Sequence, residues 1–539
     1  MALVTDEREP GSPEPRPPDA PAGGPAEVGR GEASVAGVVA AGVALGVGEL
    51  VCGIAGSGPS LVSAVGTQFI DRYAASLKDL AVSLFGTNDK VALVVGIVAI
   101  ALALGAVLGR ASIRRPWVGV VGFVAFAALG LFSYLDDPLG DASTGVVAAV
   151  LSAAAGIGTL LVLLRLARLG GGATSENGPT DRAGSRRTFL LGAGAIAVLG
   201  AGAAMLGRRL RTTDVVDRAR ADTVLPPPAS AAPALSGGTG AIPDIVGLSP
   251  YITPNDDFYR IDTALVVPQV DVTGWSLGFT GLVDNPFTIT YQELVSMSDF
   301  EDVVTMQCVS NEVGGNLVGN ASWQGVPLAT LLDRAGVQQG ATQIVGRSVD
   351  GFTAGFPTEI GLDGRTALVA IAMNGEPLPA THGFPARLIV AGLYGYVSAT
   401  KWLDSIELTT WDDFDGYWIT RGWSKEGPIK TAARIDVPSS GSLVDPGIRA
   451  IAGVAWSPTA GISKVEVQVD DGTWTEATLG EVTSGNTWVQ WYVEWEATSG
   501  GHRIRARATD ADGNLQTEQP HSPPPDGATG WPTRTVRVR

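Results

Sequence analysis

The sequence predicts a chain of three parts: a helical membrane portion, a mixed α+β domain and a C-terminal all-β sandwich. Three observations predict it. Apolar residues crowd into five runs near 33–56, 91–109, 117–135, 144–164 and 188–207, each about long enough to cross a hydrocarbon core as a helix. Between about 246 and 431, short strand-like and helix-like runs mix among many glycines and prolines. From about 432 the pattern becomes alternation of apolar and polar residues, the mark of half-buried strands.

Composition narrows the partners. The chain has 539 residues, more than one core accommodates, and 54 acidic residues against 37 basic ones leave a net charge of -17. No basic stripe is present to neutralise phosphates, which argues against nucleic acid as a partner. There are two cysteines, and Cys52 sits inside an apolar run, so the pair does not read as a disulfide framework.

Taken in order, residues 1–30 are rich in Pro, Gly, Ala and Glu and are expected to form a disordered tail. Residues 31–207 form the membrane domain of five transmembrane helices. Arg110, Arg114 and Arg115 follow the second run; Arg165, Arg168, Arg182, Arg186 and Arg187 separate the fourth from the fifth. The third-to-fourth loop instead carries Asp136, Asp137 and Asp141. The positive-inside rule then makes this a multi-pass cell-membrane protein in contact with lipid, its N-terminus cytoplasmic and everything after 208 on the extracytoplasmic side. Arg208, Arg209 and Arg211 oppose that orientation. Ser185-Arg186-Arg187-Thr188-Phe189-Leu190 reads either as an internal twin-arginine export signal or as a plain positive-inside anchor. Residues 60–85 carry apolar positions near helical spacing and predict an amphipathic surface helix, while Glu49 places a carboxylate within the first run.

Residues 208–245 read as a Pro/Ala/Ser/Gly linker. Within 246–431, Leu328-Ala329-Thr330-Leu331-Leu332-Asp333-Arg334 predicts a short helix closed by Gly336. In 432–539, Val465, Val467 and Val469, then Trp491, Val493 and Trp495, then Ile504, Ala506 and Ala508 each alternate with polar residues. Turn pairs at Asp471-Gly472 and Asp512-Gly513 complete the expectation of an immunoglobulin-like β-sandwich.

The chemistry left open is narrow. There are three histidines, His382, His502 and His521, two of them in the sandwich, which disfavours a three-histidine zinc site. No Gly-x-Ser-x-Gly elbow accompanies His382, no Cys-x-x-Cys-His motif occurs, and no membrane run contains a histidine, so no haem is expected in this chain. Cys308 remains, at the end of the strand-like Val303-Val304-Thr305-Met306-Gln307 and before a glycine-rich turn, where a metal ligand or nucleophile would sit. A lone cysteine is ordinarily a small buried hydrophobe. The run from His382 to Tyr396, followed by Lys401-Trp402, offers an imidazole, a guanidinium and an ammonium among glycines. That set suits a phosphate-bearing ligand, and equally a turn and strand with solvated cations.

Four separated motifs in order remove the ambiguity: Thr253-Pro254-Asn255-Asp256-Asp257-Phe258-Tyr259-Arg260; the Cys308 segment with Gly319 to Leu328; His382 to Arg387; and Tyr394-Gly395 through Lys401-Trp402. From about Pro250 to the C-terminus the chain resembles the bacterial, membrane-anchored exported branch of the sulfite oxidase family of molybdopterin enzymes. The resemblance implies a sulfite-oxidase-type molybdopterin domain in which Cys308 is the thiolate ligand to molybdenum. It implies that Phe258, Tyr259, Arg260, Asp262, His382, Arg387, Ala399, Thr400 and Lys401 contact the pterin and its phosphate, and that Tyr417 matches the catalytic tyrosine. It also implies a small-molecule substrate, a separate electron carrier and, through a dimerisation-type sandwich, a homodimer. Sulfite-oxidising members carry adjacent arginines shortly after the cysteine; here the residues are Asn311-Glu312-Val313. The expected substrate is therefore a neutral S- or N-oxide rather than sulfite, with a sulfite dehydrogenase, a Cys308–His382 nucleophile pair and a non-catalytic membrane receptor as the competing readings.

Overall fold

The computed structural model describes residues 28–56, 58–72, 89–171, 180–210, 214–233, 235 and 242–539. Five helices in it are long and apolar enough to cross a membrane. They are α1 (Arg30–Ala55), α2 (Asp89–Ala111), α3 (Pro116–Asp136), α4 (Ala142–Gly171) and α5 (Thr180–Leu210). Each extends beyond its apolar run because the flanking Arg, Lys and Asp residues continue the helix. The expected disordered tail falls largely outside the described residues.

The chain divides into two compact units. The first gathers the residues up to Leu50 with Gly96–Ala128 and Ala148–Leu206. Glycines let its helices approach backbone to backbone: a Cβ on Gly37 would lie 1.9 Å from the Gly105 carbonyl oxygen, and one on Gly46 would lie 2.2 Å from that of Gly200. Ala33, Ala36, Ala40, Phe123, Leu160 and Leu163 fill the interior, with Glu49 also buried on α1. The outward faces carry exposed Leu191, Val198 and Leu199.

The second unit comprises Val51–Val95, Leu129–Val147 and Gly207–Arg539. Residues 61–72 are helical, and the rest of the expected amphipathic helix lies mostly outside the described residues. The expected linker is docked rather than loose. Helix α6 (Asp214–Asp222) buries Val216, and Ser230 exchanges backbone hydrogen bonds with Asp299 and Glu301 at 3.1 and 2.8 Å.

Two sheets share the main core of this unit. One runs β2 (Phe287–Thr290), β1 (Ser276–Gly281), β10 (Leu403–Thr409), β5 (Gln343–Ser348), β6 (Thr353–Pro357), with β1 and β10 parallel. The other runs β3 (Phe300–Gln307), β4 (Val318–Pro327), β7 (Ala367–Met373), β8 (Glu376–Pro377), with β9 (Arg387–Val390) also pairing β7. Every residue of β7 is buried. Helix α7 (Tyr291–Met297) starts on a capping box in which Thr290 and Glu293 satisfy each other's backbone amides. Helix α8 (Leu328–Ala335) ends at Gly336 in the left-handed conformation, so the glycine stop read from sequence is where the helix terminates.

Two further sheets follow: β11 (Ala432–Val437), β13 (Gly447–Trp456), β17 (Val489–Ala497), β16 (Thr478–Leu479), and β12 (Leu443–Val444), β19 (Thr533–Val538), β18 (Gly500–Asp510), β14 (Ile462–Val469), β15 (Thr475–Glu476). Their inward residues, including Ile451, Trp491, Val465, Ile504 and Ala508, form one apolar cluster. Trp456 Nε1 donates to Gln307 Oε1 at 2.7 Å, which ties the β13 end to the β3 end next to Cys308.

The β4–β7 ladder shifts register at Gly325, where a Cβ would meet the Val369 carbonyl oxygen at 2.2 Å. Gly325→Ala is expected to destabilise the second unit by about 1–3 kcal/mol through overpacking against backbone that cannot yield. Denaturant unfolding followed by tryptophan fluorescence measures it, and an unchanged midpoint would refute the close approach.

Candidate active site

The site is assembled from strand ends of the second unit. Strand β3 delivers Cys308 at its C-terminal end, where the Cys308 amide donates to the Leu317 carbonyl at 2.9 Å and its carbonyl accepts from the Asn311 amide at 3.0 Å. Cys308 is buried, and it and Cys52 are both thiols rather than a disulfide. The loop closes through Asn311 Oδ1, which accepts from the Leu317 amide at 2.8 Å. Gly315 is packed against that same oxygen, so a larger residue there would displace it.

Facing this strand end is the Phe258–Tyr259 pair. The rings stack with centroids 5.1 Å apart, and Phe258 presents edges to Trp323 and His382 at 5.8 and 5.7 Å. Gly319 on β4 makes room for the Phe258 ring, which a Cβ there would meet at 2.7 Å. Burial raises the Tyr259 phenol well above its usual range, with the Cys308 charge adding to the effect and Arg387 opposing it. Tyr394 responds similarly: burial lifts it to about 12, and Cys308 is again among the charges that act on it. The thiol therefore looks onto two neutral phenols.

Arg387, the first residue of β9, is buried, and among the described residues no carboxylate is hydrogen-bonded to it. Its Nη1 donates to the His382 carbonyl at 3.0 Å and its Nη2 lies 3.8 Å from Met306 Sδ, two residues before Cys308. The guanidinium sits over the Trp323 ring at 5.0 Å, and its Nε has no hydrogen-bond partner. Burial lowers its pKa to about 10, still far above neutrality, so a nearly dry positive charge faces the site. An unsatisfied buried guanidinium is costly unless an anion joins it. This is the feature that fits a bound anionic pterin.

His382 is also buried, and its ring Nε2 lies 2.9 Å from the Asn255 carbonyl oxygen. A carbonyl only accepts, so Nε2 carries the proton and the ring is neutral, consistent with a pKa lowered to about 4 by burial and by Arg387. Gly383, at φ +111°, lets the chain pass 3.1–3.2 Å from Lys401 and Arg387 where a Cβ would stand. Ala399 and Thr400 are buried and contribute backbone: the Thr400 carbonyl accepts from the Leu388 amide at 3.0 Å.

Lys401 donates to Asp262 Oδ2 at 2.8 Å and lies over its neighbour Trp402. Burial lowers its pKa to about 8 despite that partner. Asp262 accepts from Arg260 at 3.0 Å and from Lys90 at 2.6 Å as well. Burial opposes its ionisation, but Lys401, Lys90 and Arg260 outweigh that and hold the carboxyl well below the usual range. Asp350 stands near enough for Asp262 and Lys401 to act on it, and burial pushes its carboxyl up.

The structure thus places Phe258, Tyr259, His382 and Arg387 near the Cys308 strand end, and Arg260, Asp262 and Lys401 in an ion cluster that meets the Arg387 stem at Gly383, with Ala399 and Thr400 leading into Lys401. Tyr417 is placed differently: its hydroxyl donates to Asp71 at 2.7 Å, and Arg421 stacks on its ring at 3.6 Å. Glu312 and Val313, expected beside the substrate, are exposed. They line a cavity of about 430 Å³ with Asn311, Lys430, Asp510 and Gln516, and neither Cys308 nor Arg387 lines it. Sequence reasoning did not single out Asn255, Met306, Tyr394 or Lys90. The first three lie in stretches already read as motifs, whereas nothing local marks Lys90.

The His382 shift has a signed consequence. Its folded pKa of about 4 lies below the unfolded value near 6.5, so the unfolded chain binds the proton first and stability is lost as pH falls through that window. Wild type should lose up to roughly 3 kcal/mol more between pH 7 and 4 than His382→Gln does, since glutamine does not titrate. Parallel stability–pH curves for the two proteins would exclude a neutral buried imidazole.

Residues 264–418 match the family described as the oxidoreductase molybdopterin binding domain. The sulfite oxidase of Arabidopsis thaliana is 28% identical over 340 residues, covering 51% of this chain and 84% of that protein. The uncharacterized oxidoreductase YuiH of Bacillus subtilis is 34% identical over 180 residues, 33% of this chain and 87% of its own length. A solved structure, the sulfane dehydrogenase SoxCD of Paracoccus pantotrophus, is similar at 22% identity with a TM-score of 0.46, covering 54% of this chain and 84% of that one. With the molybdopterin domain matched and one relative spanned over most of its length at that identity, this chain is an oxidoreductase belonging to the sulfite oxidase family of molybdopterin enzymes.

Proposed function

We propose that the protein is a membrane-anchored molybdenum oxidoreductase that exchanges an oxygen atom and two electrons with a small neutral S- or N-oxide. The observation that carries the cofactor assignment is Arg387: a buried guanidinium, one nitrogen unsatisfied, beside the strand that delivers Cys308. In this reading Cys308 holds the metal through its thiolate, and Arg387, Lys401, His382 and the Phe258–Tyr259 pair hold the pterin and its phosphate. When bound, the cofactor supplies a soft-ligated metal able to cycle by two electrons. Tyr259 and Tyr394, held protonated by burial, offer hydroxyls to an oxide oxygen.

The substrate proposal rests on charge. The positions after Cys308 read Asn311, Glu312 and Val313, so this loop supplies no arginine to grip a dianion, and Glu312 itself is exposed. Arg434 and Arg534 do reach this loop, yet they bind the carbonyls of Gly315 and Gly314 at 3.4 and 3.2 Å, and Arg434 is also paired with Asp436. Electrons would come from a separate carrier. The apolar outward faces of α1–α5 support anchoring in lipid, and the arginine-rich loops support an extracytoplasmic active site. The family resemblance, with the two packed C-terminal sheets, supports an immunoglobulin-like sandwich that serves as the dimer face.

Cys308→Ser is expected to abolish turnover and change the Mo(V) resonance; full activity with an unchanged spectrum would remove the thiolate assignment. The wild type should reduce a neutral sulfoxide or amine oxide with an artificial donor and oxidise sulfite poorly. A sulfite kcat/KM of about 10⁵ M⁻¹s⁻¹ or more, ordinary for an enzyme acting on its own substrate, would overturn the substrate proposal. Reporter fusions after Leu164 and after Ile245 should report opposite sides of the membrane, and identical sides would refute the five-span arrangement.

A further inference from the structure

Lys90 lies in the first turn of α2, and the residues up to Val95 belong to the same compact unit as the catalytic sheets. Its ammonium donates to three oxygens of one short segment: Asp262 Oδ1 at 2.6 Å, the Asp262 carbonyl at 2.9 Å and the Ala264 carbonyl at 2.7 Å. The other oxygen of the same carboxylate accepts from Lys401 at 2.8 Å and from Arg260 at 3.0 Å. The Asp262 side chain is 3% exposed and that of Lys401 10%, while Lys90 at 32% and Arg260 at 41% reach it from the solvent side. Lys401 in turn stands beside Gly383 and the Arg387 stem, at the wall of the anion seat.

A buried carboxylate shared by three cations does two things. It fixes the chain direction from Phe258 to Ala264, which carries the Phe258–Tyr259 platform. It also leaves a surplus of positive charge: Lys90, Arg260, Lys401 and Arg387 stand against Asp262 in this cluster, with Asp350 near it and pushed toward its neutral form. Taking Lys90 away would leave Lys401 and Arg260 to neutralise Asp262 more fully, drawing the Lys401 ammonium toward the carboxylate and weakening its pull on a second anion.

We infer that Lys90 is a positioning residue of the cofactor site: acting through Asp262, it sets Lys401 and the 258–264 segment so that the seat for the cofactor's anionic groups is complete. The inference rests on the proposal that Arg387 and Lys401 hold the molybdopterin. It means that the start of an apolar, membrane-type helix is part of the cofactor-binding apparatus, and that the catalytic sheets alone present an incomplete site.

The test uses the full chain purified in detergent, with molybdenum measured by mass spectrometry and the pterin by fluorescence of its oxidised form. Lys90→Met, which keeps length and removes charge, should lower both contents about tenfold or more after extensive dialysis, the scale on which groups supporting metal ligands act. Lys90→Arg should restore loading. Apo forms of wild type and Lys90→Met, made in a host unable to synthesise the cofactor, should unfold at the same temperature within error. Wild-type loading in Lys90→Met would overturn the inference, as would a failure of Lys90→Arg to rescue. A fall in apo stability that accounts for the lost cofactor would also overturn it, because Lys90 would then be merely structural. A wild-type chain without molybdenum would instead sink the underlying site assignment, a result distinct from all three.

Discussion

The site depends on burying positive charge that the protein itself only partly neutralises. Arg387 is enclosed by Trp323, Met306 and the His382 carbonyl, with one nitrogen left unsatisfied. Lys401 is enclosed too, but Asp262 meets it. Carrying an ionised group out of water costs several kcal/mol even after relaxation, and a cation without a partner keeps that cost until an anion arrives. If Arg387 and Lys401 hold the cofactor as proposed, the arrangement is unfavourable in the apo chain and favourable around that polyanionic ligand. Apo and loaded forms should therefore differ in stability by more than surface contacts provide.

The rigid surroundings explain how the chain tolerates such a site. Strand β7 is buried along its whole length, and β3, β4 and β9 are held to it directly or through one neighbour. Cys308 and Arg387 thus stand at the ends of two strands of one sheet, with β4 and β7 between those strands and Trp323 on β4 under the Arg387 guanidinium. The C-terminal sheets brace the same strand end: Trp456 bonds Gln307, and the Trp488 amide donates to Thr305 Oγ1 at 2.7 Å. A catalytic group on a strand end, locked by side chains from a second pair of sheets, is held more firmly than one on a loop.

What was legible in the sequence was what local physics encodes. Unbroken apolar runs locate α1 to α5, Gly336 stops α8, and the Val465–Val467–Val469 alternation lies in β14. The motif order brought out the family before any geometry was known. What was not legible is what long-range packing decides. Residues 214–222 look like part of a polar tether, yet they form a helix because Val216 finds the core. Glu312 reads as a residue facing substrate, yet the turn aims it outward. Tyr417 is turned toward Asp71, a residue 346 positions away, and Lys90 meets Asp262 across 172 positions. No pattern of spacing signals such pairs, because their partners lie far apart in sequence and meet only in the folded chain.

The protonation states decide between the two enzyme readings of Cys308. A cysteine nucleophile needs a base close to it in space and near it in pKa. His382 lacks the second. Its protonated Nε2 is committed to the Asn255 carbonyl, and burial, with Arg387 beside it, lowers the ring's pKa to about 4. An ordinary thiol titrates near 8.5, so proton transfer to such an imidazole is uphill by roughly four orders of magnitude. The groups whose titration the Cys308 charge perturbs are Tyr259 and Tyr394, and both are pushed further toward the protonated state. Phenols held neutral cannot take the thiol proton, but they can donate hydrogen bonds to an oxygen. In the proposed reading a bound metal takes up the Cys308 thiolate, since coordination deprotonates a thiol.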